Sequence, residues 1–193
     1  FIMSCPKEVV FVPNLLTPAT LLFKDAWNSP NLQVKLKCIQ TLTSIFQHPD
    51  RAISTAFIHT VGPAVIEHLL NVCKRRPESE LEAVVDIAGA NMVETLVALT
   101  DEQNRLHMMT VLVPMLVSYL LEPSEYRGSP PPWKVLHDHA LQRLMHIGPQ
   151  YPAQFRTVMQ SSQDMRGRLE AAIKAQQATS SKASNKKAAA AAA

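Results

Sequence analysis

The sequence is poor in the residues and patterns that mark several common classes of protein. Only five of its 193 residues are glycine, and it has no β-branched runs with the clean alternation that indicates strands. Charged residues make up 18% of the chain and apolar residues 47%. That is too little charge for a disordered chain and enough apolar surface for a continuous core. The composition therefore predicts an all-α protein.

Signatures of catalysis and of cofactor binding are also missing. No G-x-S-x-G, H-E-x-x-H, Walker or dinucleotide-binding glycine pattern occurs. His137 and His139 are two residues apart, so a helix would direct them about 160° from each other. His139 and His146 share a helix face, but no cysteine or second carboxylate joins them at ligand spacing. We therefore predict a non-enzymatic protein without a metal or cofactor.

The charge balance and the cysteines indicate which partners and which cellular compartment the protein has. The net charge is only +3, and several lysines lie near the C-terminus, which argues against a surface dedicated to nucleic acid. Cys5, Cys38 and Cys73 are odd in number and far apart, which predicts reduced, mostly buried thiols of a cytosolic protein. The chain begins at Phe1 without an initiator methionine or a leader, so we expect a piece of a longer protein.

The most regular stretch runs from residue 29 to residue 76. A helix start is predicted at Ser29-Pro30, a second helix over residues 51–60, and a third restarting at Gly62-Pro63. Apolar residues three, four and seven apart place one apolar face on these helices. A unit this small cannot bury that face alone, so neighbours of the same kind must stack on it.

Further helix starts are predicted from capping patterns at Thr17-Pro18, at Ser79 with Glu82, and at Thr100 with Gln103. The apolar run over residues 108–121 contains Pro114 and, at roughly 14 residues, is too short to span a bilayer. No transmembrane segment is therefore predicted.

The predicted architecture is an α-solenoid of about four stacked HEAT-like helical hairpins. Its parts are a lead-in over 1–16, HEAT-like repeats over 17–121, a proline-rich loop over 122–132, HEAT-like helices over 133–177, and a disordered tail over 178–193. The tail consists of Ser, Lys, Asn and Ala and carries no apolar stripe.

Two stretches are candidates for binding a partner. The basic run 74–76 either contacts acidic lipid or a partner, or caps a helix C-terminus on a solvated edge. The segment 129–133 is either a polyproline ligand for an aromatic-lined groove or a stiff connector whose tryptophan packs on the next helix. The candidate residues are Lys74, Arg75, Arg76, Pro130, Pro131, Pro132 and Trp133.

Two segments near the C-terminus carry a family resemblance. HALQRLMHIGPQYPAQFRTVMQSS at 139–162 and RLEAAIK at 168–174 resemble the extreme C-terminus of the HEAT repeat-containing protein 5 family. TPATLL at 17–22 and IFQHP at 45–49 resemble the same family more loosely. The resemblance covers about residues 17–177 and leaves out the tail.

Members of that family are very long α-solenoids that act as accessory subunits of clathrin-adaptor machinery at the trans-Golgi network and endosomes. The resemblance implies a cytoplasmic scaffold that binds aftiphilin, gamma-synergin and clathrin-adaptor proteins, and that reaches membranes through these partners. Two alternatives remain open. One is a HEAT module of a nuclear or translational assembly that contacts nucleic acid through a basic edge. The other is a self-association module, since solenoid ends without a polar cap tend to pair.

Overall fold

The structure is a computed structural model that describes the backbone of residues 13–191 and the side chains of residues 16–178. Within these residues the chain forms nine helices and no strand. The helices are α1 (Pro13–Asn28), α2 (Leu32–Phe46), α3 (Arg51–Val72), α4 (Glu80–Leu99), α5 (Glu102–Tyr119), α6 (Pro123–Gly128), α7 (Pro131–Gln150), α8 (Pro152–Gln160) and α9 (Gln163–Ala191).

The helices stack as hairpins. The hairpins are α2–α3, α4–α5 and α7–α8, and within the stack α4 packs between α2 and α7. Helix α5 packs on α4, α7 and α8, while α1 packs across α2 and α3, and α9 contacts α5 to α8. The predicted all-α solenoid is confirmed, with three hairpins between two flanking helices in the described part of the chain instead of about four.

A continuous apolar core joins the hairpins. Full burial of one large aliphatic side chain stabilises a fold by about 1.5–3 kcal/mol, so the stacked faces hold the solenoid together. Its largest fully buried side chains are Phe46, Phe57, Leu42, Ile45, Ile53, Met92, Met109, Leu112, Met115, Leu116, Leu120 and Leu136.

Side chains cap the starts of helices α2 to α5 and of α9, and two of these caps differ from the predicted ones. The Asn31 side chain accepts hydrogen bonds from the backbone of Gln33 and Val34, so α2 starts after Asn31 and not at Ser29-Pro30. Helix α5 is capped by Asp101, whose carboxylate accepts from the backbone N–H of Asn104, and not by Thr100. In both cases the neighbouring residue with the better-placed oxygen becomes the cap.

The predicted cap at Ser79 is confirmed. Its hydroxyl accepts from the backbone N–H of Glu82 at 3.2 Å. The Glu82 carboxylate, however, accepts from the backbone N–H of Glu78 at 2.6 Å, one residue before the position expected for a capping box. Asp50 caps α3 in the same way, through the N–H of Ala52.

Three helix bounds that were predicted from prolines differ from those in the structure. Helix α3 continues through Pro63 instead of breaking there, and the residues Val61 and Val65 on either side of it are both buried in the core. Helix α1 starts at Pro13 and contains Pro18, so it begins before the predicted start at Thr17. Helix α7 runs to Gln150, past the predicted stop at Gly148-Pro149.

The ends of the chain and the proline-rich loop also differ from the prediction. Residues 122–132 hold the short helix α6 and the start of α7. The backbone of α9 is helical to Ala191, where the sequence predicted a disordered tail from residue 178. Alanine and lysine favour helix, and no proline or glycine follows Gly167. The predicted lead-in up to residue 12, with Cys5, lies outside the described residues.

Helix α3 is the one helix in the described part of the chain that is long and apolar enough to cross a membrane, judged by length and composition. Core helices of soluble proteins meet the same criteria. Five apolar side chains of α3 are buried among its neighbours: Ile53, Phe57, Val61, Val65 and Leu69.

Candidate partner-binding groove

A cavity of about 880 Å³ opens between the end of α1, helix α2, the end of α3 and the start of α4. We call it the α1–α4 groove. Its apolar wall includes Trp27, Leu32, Ile39, Leu69, Val72 and Val85. Its charged and titratable side chains are Lys35, His68, Arg75, Arg76, Glu78, Glu82 and Asp86.

Asp86 is the one buried charged side chain in the lining of this groove, with 8% of its surface exposed. Among the described residues, no donor hydrogen-bonds to its carboxylate and no ion pair includes it. Burial, and to a smaller extent the nearby Glu82, raise the pKa of Asp86 to about 7, while the positive charge of Lys35 opposes the rise. A carboxylate without a partner therefore sits in the wall of an open groove.

Lys35 and His68 lie across the groove from Asp86. Burial lowers the pKa of His68, and the positive charge of Lys35 lowers it as well. The ammonium of Lys35 thus acts on both Asp86 and His68 through space but pairs with neither among the described contacts. Its long stem leaves it free to change position.

The two stretches singled out in the sequence meet at the edge of the groove. The Arg76 guanidinium lies 5.6 Å from the centre of the Trp133 ring. Arg76 also donates to the carbonyl of Tyr119 at 3.3 Å, and Trp133 Nε1 donates to the carbonyl of Pro77 at 2.8 Å. Arg76 is therefore turned inward and joins the α3–α4 loop to the end of α5 and the start of α7.

The remaining residues that were predicted to bind a partner do not all lie in the groove. Lys74 and Arg75 are exposed, and of these two only Arg75 lines the groove. Pro130 and Pro131 are exposed while Pro132 is buried. Because α7 begins at Pro131, these prolines do not form a continuous polyproline ligand. Their role in partner binding remains a prediction.

The end of α5 is held by side chains from distant helices. Arg168 donates to the carbonyl of Leu120 at 2.8 Å. His137 Nδ1 accepts from the backbone N–H of Leu121 at 2.8 Å, and burial lowers the pKa of His137. These contacts satisfy backbone groups that the helix end would otherwise leave without partners.

A second, smaller cavity of about 560 Å³ lies between α6, α7 and α9. Tyr126 lines it and donates a hydrogen bond to the Asp138 carboxylate, while His137 and Leu141 form part of its wall. Elsewhere, Arg143 on α7 forms an ion pair with Glu94 on α4 and joins two hairpins.

The described residues show neither a cluster of metal ligands nor a thiol with a lowered pKa. No group of three or more His, Cys, Asp or Glu side chains among them is arranged to hold a metal ion. Cys38 and Cys73 are free thiols, and burial raises the pKa of both, that of Cys38 to about 11. A thiol with a raised pKa is a poor nucleophile.

The sequence pointed to Arg75 and Arg76 but not to Asp86. A usable signal was nevertheless present, since Asp86 is the only charged residue between Glu82 and Glu94, inside a helix predicted to be apolar on two sides. A single charge in a helix that is buried on two sides is therefore a candidate for a group that lines a cavity or binds a partner.

The chain was compared with families of known proteins and with solved structures. Residues 23–186 match the sequence model of a protein family that is described as LAA1-like, C-terminal TPR repeats. No solved structure matches the chain. The family description calls the repeats TPR, whereas the sequence suggested HEAT-like repeats. Both kinds of repeat are stacked helical hairpins. Since the match covers most of the chain, the protein belongs to the LAA1-like, HEAT repeat-containing protein 5 family, as a helical-repeat scaffold from its C-terminal region.

Proposed function

We propose that this chain is a protein-binding part of a non-enzymatic scaffold that serves clathrin-adaptor trafficking between the trans-Golgi network and endosomes. Membership of the LAA1-like family is the observation that carries the proposal. Its partners in this role are proteins of the aftiphilin, gamma-synergin and clathrin-adaptor type. The protein reaches membranes in the cytoplasm through those partners.

The shape of the molecule supports binding over catalysis. Stacked hairpins present extended surfaces between helices, which solenoid proteins use to hold peptide segments. The α1–α4 groove has a volume of about 880 Å³ and lies between four helices, where a segment of a partner protein can be received. Its lining holds both apolar side chains and charges, as a specific protein-binding site requires.

The alternative of a nucleic-acid-binding module is less well supported by the use of the arginines. Four of the nine arginines are engaged within the fold: Arg76, Arg105 and Arg168 donate to backbone carbonyls, and Arg143 pairs with Glu94. Side chains engaged in this way are not free to neutralise phosphates, which account for most of the affinity of such proteins for nucleic acid.

The proposal is tested by affinity purification from cell lysate with residues 1–193 as bait, at physiological and at high salt, with mass spectrometry of the bound proteins. We expect clathrin-adaptor, aftiphilin or gamma-synergin proteins in the bound fraction. A bound fraction of nucleic-acid-associated proteins that disappears at high salt would overturn the trafficking role and favour the alternative.

Self-association is separated from these outcomes by measuring the mass of the purified chain in solution with light scattering. The exposed side chains of Leu21 and Leu22 on α1 make this control worthwhile, with 57% and 69% of their surfaces accessible. A dimer that forms in the absence of other proteins would identify a self-association module. A monomer is expected from the scaffold proposal.

A further inference from the structure

We propose that the α1–α4 groove binds a peptide of a partner protein through an arginine or lysine side chain, whose cationic group is held by the carboxylate of Asp86. This inference rests on the proposed protein-binding function and adds the chemistry of the group that is recognised. It concerns Asp86, which neither of the two stretches singled out in the sequence contains, although Arg75 and Arg76 of the basic run also line the groove.

The first step is the unpaired state of Asp86. Its side chain is more than nine-tenths buried, and it lines the groove without a hydrogen-bond donor among the described residues. The carboxylate oxygens keep some access to water from the groove, but the burial of the side chain disfavours the charged form. A donor that enters the groove from outside removes this penalty, and a cationic donor does so most strongly.

The second step is that no side chain of the groove already fills this role. Lys35 acts on Asp86 through space but forms no ion pair with it in the described structure. Arg76 is engaged with Tyr119 and Trp133. The carboxylate of Glu82 accepts from the N–H of Glu78, and Glu78 itself is exposed, which leaves Asp86 as the buried acid of the groove.

The third step concerns the apolar wall. Trp27, Leu32 and Val85 lie in the same groove as Asp86. Arginine and lysine place apolar stems along such surfaces while the charged end reaches a polar partner. An anionic or purely apolar ligand would leave the Asp86 carboxylate without a donor, so the charge of the groove's most buried group favours a basic side chain.

The groups facing Asp86 decide how binding depends on pH. They are Lys35 on α2, His68 on α3, Cys73 at the end of α3, Glu82 on its own helix and Tyr119 on α5. Since the pKa of Asp86 is about 7, its ionised fraction grows as the pH rises through neutrality. The affinity for a basic peptide therefore increases over the same range.

The test begins with random peptides displayed on phage and selected on the immobilised chain of residues 1–193. Selected sequences are then synthesised, and their affinities are measured by isothermal titration calorimetry. The variants are Asp86→Asn, which removes the charge but keeps the shape, and Glu80→Gln as the matched control. Glu80 is an exposed carboxylate on the same helix and does not line the groove.

We expect selected peptides to share a basic residue next to an apolar one. Their affinity should fall about tenfold or more with Asp86→Asn and stay unchanged with Glu80→Gln. Replacing the basic residue of the peptide by neutral citrulline, with the protein unchanged, should cause a loss like that of Asp86→Asn even if that variant folds poorly.

Three results would overturn this inference: no enriched peptide, enriched peptides without a basic residue, or equal affinity of the citrulline peptide. A free arginine amide that binds as tightly as the peptides would assign the groove to a small amine and would also overturn it. Capture of adaptor proteins by the Asp86→Asn chain at wild-type levels would reject this site alone and leave the proposed scaffold function intact.

Discussion

The indole N–H of Trp133 donates a 2.8 Å hydrogen bond to the carbonyl of Pro77, a residue 56 positions earlier in the chain. This bond joins the start of α7 to the loop between α3 and α4. Arg76 in the same loop stacks on the Trp133 ring. The loop that borders the α1–α4 groove is therefore fixed by the C-terminal hairpin, which links the shape of the groove to the stacking of the repeats.

Trp133→Phe should lower the free energy of unfolding by about 1–2 kcal/mol, because the bond to Pro77 is lost and the contact with Arg76 is weakened. Urea unfolding measures this change. Val135→Ala on the same helix is the control, since Val135 is 49% exposed, and it should change stability by no more than about 0.5 kcal/mol. Equal effects of the two variants would show that the Trp133 contacts add nothing.

Asp86 should make stability depend on pH in a direction opposite to that of a salt-bridged carboxylate. Its pKa is raised from an ordinary value of 3.8 to about 7 in the folded state, so between these values the folded protein binds more protons than the unfolded one. The contribution of Asp86 to stability is thus greatest below pH 3.8, falls as the pH rises through this window, and levels off above about 7.

Asp86→Asn should therefore be more stable than the wild type above pH 7, and the gain should shrink as the pH is lowered through the same window. Chemical unfolding of both proteins across this range, without ligand, gives the difference directly. A variant that is less stable than the wild type at every pH would mean that Asp86 already has a partner within the fold.

Arg143 and Glu94 should contribute a measurable coupling between α7 and α4. Their side chains are 28% and 20% exposed, so solvent screens the pair in part, and a double-mutant cycle with Arg143→Met and Glu94→Gln should give about 1 kcal/mol. His139 provides an independent readout, because its pKa is lowered by burial and also by the positive charge of Arg143. Arg143→Met should raise that pKa in an NMR titration, and an unchanged value would contradict the assigned contact.

Two glycines in helices should respond differently to alanine. A Cβ at Gly89 would lie 2.6 Å from Cδ2 of Leu69, a residue of the groove wall, whereas a Cβ at Gly167 meets nothing within 4 Å. Gly167→Ala should therefore stabilise the protein by up to about 1 kcal/mol. Gly89→Ala should gain less or lose stability, because Leu69 has to move, and unfolding curves that show the same gain for both would contradict the packing.

The periodicity of the sequence was sufficient to predict the class of fold and several helix bounds. Helix α8 spans Pro152–Gln160, the residues that the pattern predicted. Helix starts were less certain where several capping residues follow one another, as at Ser29, Pro30 and Asn31. A local pattern does not say which oxygen reaches the free N–H groups, and in the structure it is that of Asn31.

Tertiary packing explains what the sequence did not reveal. The rule that proline ends a helix is local, and it failed at Pro63, where one helix continues and Val61 and Val65 on either side are buried in the core. The burial of Asp86 depends on neighbours from other helices that no window of sequence displays. The contact between Arg76 and Trp133 likewise joins residues 57 positions apart, so each was noticed alone and the pair was not.

The most direct test of the scaffold role is calorimetric titration of the purified chain of residues 1–193 with purified aftiphilin and gamma-synergin, at physiological and at high salt. The account predicts saturable binding that survives high salt, because apolar contacts in the groove add to the charges. The absence of binding to either protein, under conditions in which the chain remains folded, would contradict the proposal that this region of the family holds the trafficking partners.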